Sequence, residues 1–223
     1  MLLRLTWLLL QKDLRVAARS REVFGFMLLF ALLCVVVFAF GFLREGEAAA
    51  AQVPGVLWVT LLFAGTVGLL RLFAAEEEGG TLHLAQRTLA GPHPLLLSKS
   101  LMQLIFSGVT TLLLLPVVLV FFDAALVQPA PVLAALALGL VGQAVLGALV
   151  AALLVHVRLR EVLLPLVLYP LLAPLLIAGV RVTVLAQGNA PAETVDSWLG
   201  LMAGYDLVVL ATAPWLHARV VEP

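Results

Sequence analysis

RLFAAEEEGGTLHLAQRTLAGPHPLLLSK, residues 71–99, is the stretch on which the fold turns. It is the longest mostly polar interval of the chain and lies between long apolar runs. Glu76, Glu77 and Glu78 stand near its start and Gly79 and Gly80 follow them. A short helical pattern comes next, and Gly91, Pro92 and Pro94 close the interval, as glycine and proline commonly do between elements.

Outside this interval the chain is apolar. Of its 223 residues 63% are hydrophobic and 12% charged, and the mean hydropathy is +1.15. The charged share is about half that of an ordinary soluble domain. A soluble fold of this length has too little interior for so much apolar surface. The expected class is an all-α integral membrane protein. Formal net charge is zero, which points to no nucleic-acid partner. The single cysteine, Cys34, lies in an apolar run and rules out an intrachain disulfide or a cysteine-cluster metal site. Lys12, Asp13, Arg15, Arg19 and Arg21 follow the first apolar residues, a pattern unlike a cleavable signal peptide.

Working outward toward the N-terminus, the second span is expected over 53–70, with Pro54 near its start and Trp58 at an interface or against a neighbouring helix. The first is expected over 23–43, long enough to cross roughly 30 Å of hydrocarbon. Residues 3–21 place Leu3, Trp7, Leu10, Leu14 and Ala17 at spacings of three and four, with Lys12, Arg15 and Arg19 on another side. That pattern predicts an amphipathic helix lying in the interface, with a cytoplasmic extension of the first span as the alternative.

Toward the C-terminus the third span is expected over 101–122, with Pro116 inside it. The fourth, 132–155, carries Gly139, Gln143 and Gly147 at a spacing of four, a candidate close-packing face. The fifth, 162–180, is punctuated by Pro165, Pro170 and Pro174, each a candidate bend or conformational pivot. The sixth, 198–215, holds Asp206 near its middle, with Gln143, Thr110 and Thr111 as possible partners. The expected organisation is an interfacial helix over 1–22, a six-helix transmembrane domain over 23–218 that includes the 71–99 loop, and a tail over 219–223.

Six spans put both termini on one side. Eleven of the thirteen basic residues then fall on that side, leaving only Arg44 and Arg181 opposite. The positive-inside rule makes it the cytoplasm of a bacterial inner membrane protein and makes 71–99 a cytoplasmic loop. His83, His93, His156 and His217 all fall near that surface, and none forms a metal motif. The chain has no GxxxxGK[ST] phosphate loop and no Gly-x-Ser-x-Gly elbow. It is expected to be non-catalytic, which leaves room for an engine borrowed from a soluble subunit.

Two stretches carry a resemblance. LWVTLLFAGTVGLLRLFAAEEEGGTL over 57–82, continued to Ser98-Lys99, and VLLPLVLYPLLAPLLIAG over 162–179 are similar to the haem exporter protein B (CcmB) family. The likeness extends over nearly the whole chain from KDLRVAARSRE onward, with Trp58, Arg71, Phe73, Glu76, Gly79, Lys99, Pro170 and Pro174 on the family pattern.

The resemblance implies a six-span, ABC-2-like exporter permease of the cytochrome c maturation system. It implies several partners: the ATPase known as haem exporter protein A, the haem-handling membrane protein C, the small membrane protein D, the haem chaperone E and a second copy of this chain. ATP would bind in the partner ATPase, and haem would be the cargo or ride on the chaperone. The implied task is ATP-driven release of haem-loaded chaperone. The implied coupling residues are Arg71, Phe73, Glu76, Glu77, Glu78, Gly79 and Lys99. Hydropathy alone is equally compatible with an ABC-2 permease for a lipid, drug or polysaccharide, or with a membrane assembly scaffold.

Overall fold

The computed structural model describes residues 2–20, 22–42, 49–73 and 93–221. Seven α-helices follow in order: α1 Leu2–Ser20, α2 Glu22–Phe42, α3 Val53–Arg71, α4 His93–Phe121, α5 Pro129–Leu154, α6 Arg160–Gln187 and α7 Ala192–Val221. A short 3-10 turn, Ala49–Gln52, leads into α3. Among the described residues, the six helices after α1 are long and apolar enough to cross a membrane. The fold is therefore an all-α, six-span membrane protein with a non-spanning N-terminal helix.

α3 is the hub. It packs against α2, α4, α5 and α6. In its apolar window 72% of the residues are buried, against 22% for α2 and for α7. Small residues allow this enclosure. Gly65, Gly68, Gly139, Gly147 and Gly179 sit where a neighbouring side chain occupies the space a Cβ would need. Close helix approach through small residues is how membrane bundles gain dispersion contacts without a solvent-driven hydrophobic force.

Helix ends explain where sequence and structure differ. α4 starts at His93, eight residues before the expected span, so Pro94 falls in its first turn and Ser98 and Lys99 in its second. Proline is tolerated there because first-turn N–H groups have no intrahelical acceptor. α6 runs on to Gln187, past an exposed Arg181, and α7 continues beyond the expected tail boundary to Val221. Asp123 (φ 44°) and Asn189 (φ 53°) end α4 and α6 in the left-handed region that short polar side chains tolerate.

α1 lies across the end of α4. Thr6, Leu10 and Asp13, spaced as one helical face, are buried, while Leu3 and Trp7 point outward with Arg15. α1 thus divides its residues between a face buried against the bundle and an exposed face that carries Leu3, Trp7 and Arg15.

Candidate coupling site

The segment between α3 and α4 is fastened at both ends. On leaving α3 the chain exposes Arg71 but buries Leu72 and Phe73. On entering α4 it buries Leu95, Leu96, Ser98, Lys99 and Ser100. The Lys99 ammonium lies 2.9 Å from Asp13 Oδ2, and the two side chains are 1% and 4% exposed. The same ammonium sits 5.6 Å from the centroid of the Phe73 ring. Lys12, half-exposed, reaches Asp13 Oδ1 at 3.2 Å. One cation therefore joins three pieces of chain: α1, the exit of α3 and the entry of α4.

A buried ion pair adds little net stability, because desolvation offsets the attraction, yet removing one partner costs about 3–5 kcal/mol. Its value lies in position. The Ser98 and Ser100 hydroxyls donate to the carbonyls of Leu95 and Leu96, so they make no further demand on the site. His217, near the end of α7, is buried and within electrostatic reach of His93 at the head of α4. Neither of its ring nitrogens has a hydrogen-bond partner among the described residues.

Deeper in the membrane, α3 is keyed to its neighbours by polar contacts. The Gln103 amide of α4 donates to Gly65 O at 2.9 Å and to Ser107 Oγ at 3.0 Å. The Gln143 amide of α5 donates to Leu62 O at 3.1 Å. The Trp58 indole lies against Gly139 of α5 and Gly179 of α6 and donates to Thr183 Oγ1 at 3.0 Å. Gly147 receives Leu69. Gly139, Gln143 and Gly147 thus form one face toward α3, as their spacing predicts. Trp58 is an interior helix–helix contact, and of its two expected settings the bundle is the one occupied.

The expected partners of Asp206 require correction. Its carboxylate is buried against Gly142 and Leu175, and neither oxygen has a hydrogen-bond partner among the described residues. Gln143 is turned toward α3, and the hydroxyls of Thr110 and Thr111 donate to the carbonyls of Phe106 and Ser107 in their own helix. Tyr205 beside it donates to Leu171 O at 2.6 Å, tying α7 to the proline-rich part of α6.

Pro165 is half-buried, while Pro170 and Pro174 face outward from this chain. Each lacks the backbone N–H that an interior helical residue donates.

Of the residues predicted for coupling, Arg71 is exposed at the exit of α3, whereas Phe73 and Lys99 are brought together inside. Lys99 faces Asp13 and presents nothing to a partner's surface. Glu76, Glu77, Glu78 and Gly79 lie outside the described residues. Sequence reasoning missed Asp13, Gln103 and Thr183. Asp13 shares a helical spacing with Thr6 and Leu10, but its burial comes from the docking of α1 against α4, which spacing alone does not show. Among the described residues no group of three or more His, Cys, Asp or Glu side chains could hold a metal.

The family model described as CcmB protein matches residues 4–222. A heme exporter protein B of Rhodobacter capsulatus is 32% identical over 218 residues, covering 96% of this chain and 97% of the relative. One from Paracoccus denitrificans is 34% identical over 221 residues, with the same coverage of both chains. One from Pseudomonas aeruginosa is 28% identical over 137 residues, covering 60% of this chain and 58% of the relative.

Proposed function

Because the chain belongs to the CcmB family, whose members are membrane permease components of ABC-type systems, we propose that it receives the stroke of a separate ATPase between Phe73 and His93. The stroke passes through α3 to the opposite membrane face. The observation that carries this reading is the clasp of Asp13, Lys99 and Phe73 at the two ends of that segment. A push on a segment held at both ends moves α3 and α4 together rather than distorting the segment alone. α3 then bears on four neighbouring helices at once.

Both termini and this segment face the cytoplasm in this account, supported by the distribution of arginine and lysine. Glu76, Glu77 and Glu78 meet basic residues of the ATPase and set its orientation, with Arg71 and Gly79 beside them. Lys99 and Phe73 act from inside as fasteners. Pro165, Pro170 and Pro174 make α6 the helix whose backbone yields during the stroke.

The relatives are named for haem export, and the work proposed is release of haem-loaded chaperone E from the C protein. The complex holds haem exporter protein A as its ATPase, proteins C and D, and two copies of this chain. ATP binds in the ATPase and haem travels on the chaperone. Reconstitution with these partners tests the assignment. ATP-dependent release of chaperone E disappears when this chain is omitted, and undiminished release in its absence refutes it.

A further inference from the structure

Asp206 stands at the midpoint of α7, with about 20 Å of helix on either side of it. Its side chain turns inward and is 4% exposed. It meets Gly142 and Leu175, which lie near the middles of α5 and α6. Gly142 makes the room, because a Cβ there would fall on Asp206 Oδ1. Neither carboxylate oxygen has a hydrogen-bond partner among the described residues.

The helices packed against α7 bring no counter-charge to this depth. α5 carries no titratable residue. α6 carries Tyr169 and Arg181 on either side of Leu175, each about 9 Å from it along the axis, and Arg160 and Glu161 at its head. The Tyr169 ring packs on Phe63 of α3, and Arg181 is exposed. α4 has His93 and Lys99 near its start, and Lys99 is bound to Asp13. On α7 itself, Glu193 and Asp196 are near one end, and His217 and Arg219 are about 16 Å or more toward the other. Tyr205, the immediate neighbour, donates its hydroxyl to Leu171 O. An ionised carboxylate here has neither hydrogen bonds nor a cation to offset its desolvation, a cost the neutral acid largely escapes.

We propose that Asp206 is a proton-binding site in the middle of the bundle. The closed chain holds it as the neutral acid. Separation of α7 from α5 and α6 admits water, the carboxyl O–H bond breaks, the proton passes to that water and the carboxylate is left hydrated. Docking of α7 reverses the exchange, so one proton is taken up each time the helix closes. α7 suits such a movement, since far less of it is buried than of α5, and Gly142 offers no side chain to interlock with it. The inference rests on these helices and is independent of any ATPase, so it is tested on this chain alone.

Infrared spectroscopy of the full chain in lipid nanodiscs, with isotope-labelled aspartate, reads the site at neutral pH, where an exposed aspartate is ionised. A neutral carboxylic acid band is expected to shift with the label and to vanish in Asp206→Asn. Absence of that band from the wild type overturns the proposal, and this measurement needs no variant to fold. Amide hydrogen exchange in the middle of α7 reads the opening. Asparagine cannot ionise, so Asp206→Asn supplies the intrinsic pH dependence of exchange. As pH rises above neutral, the ratio of wild-type to Asp206→Asn exchange rates should climb by up to about tenfold per pH unit, the linkage expected for one proton released on opening. A ratio that stays flat shows that opening releases no proton and overturns the proposal as well.

Discussion

Lys99 Nζ lies 2.9 Å from Asp13 Oδ2 across 86 residues of sequence, with both side chains almost fully buried. The pair offsets the cost of burying each charge, with half-exposed Lys12 as a second cation on Asp13. Asp13→Ala removes the carboxylate facing buried Lys99 and is expected to destabilise the chain by about 3–5 kcal/mol, and Lys99→Ala by less, because Lys12 still faces Asp13. Asp13→Leu combined with Lys99→Met removes both charges and should recover most of that loss. Thermal unfolding of the detergent-solubilised variants measures it. A double variant no more stable than the single ones contradicts the pairing.

The Trp58 indole leaves no room at Gly179. Gly179→Ala forces a methyl into the ring and should cost about 1–3 kcal/mol by overpacking. Trp58→Phe shrinks the intruding ring, so the double variant should be less destabilised than the sum of the two single changes. Strict additivity in a thermal denaturation cycle shows that the two residues do not touch.

Gln103 and Gln143 hold α3 from two sides through its own carbonyls. Hydrogen bonds between membrane helices average about 0.6 kcal/mol and reach about 1.7. Gln143→Met is therefore expected to lower stability by about 1 kcal/mol while the chain still folds and assembles. A loss of several kcal/mol would mean that the amide carries more than this contact.

Pro170 faces outward and leaves the Leu166 carbonyl without its usual helical donor. Pro170→Leu restores that donor, stiffening or repacking α6 without filling the core. Assembly with the ATPase should persist while ATP-dependent chaperone release slows. Normal assembly together with normal release removes any mechanical role for this proline.

The six spans are legible because runs of apolar residues long enough to cross hydrocarbon leave few alternatives. The close-packing face of α5 is legible for a similar reason, since Gly139, Gln143 and Gly147 repeat at one helical spacing. Helix ends are less so. Pro94, Ser98 and Lys99 resemble a loop by type, and only the contact with Asp13 shows why a lysine can sit inside α4. Asp13 itself is flanked by Lys12 and Leu14 and looks like an ordinary surface charge on an amphipathic helix. Its burial depends on the docking of α1 against α4, a pairing that periodicity does not encode. Asp206 illustrates the opposite case. Its depth is readable from its place in the last apolar run, but the orientation of each candidate partner depends on hydrogen bonds inside other helices.

The most direct test of coupling measures ATP hydrolysis and chaperone release together in the reconstituted complex carrying Lys99→Ala. With the segment between α3 and α4 unfastened, the ATPase should continue to turn over. Chaperone released per ATP should fall about tenfold, within the range of coupling free energies between sites. An assembled complex that releases as much chaperone per ATP as the wild type would contradict the account.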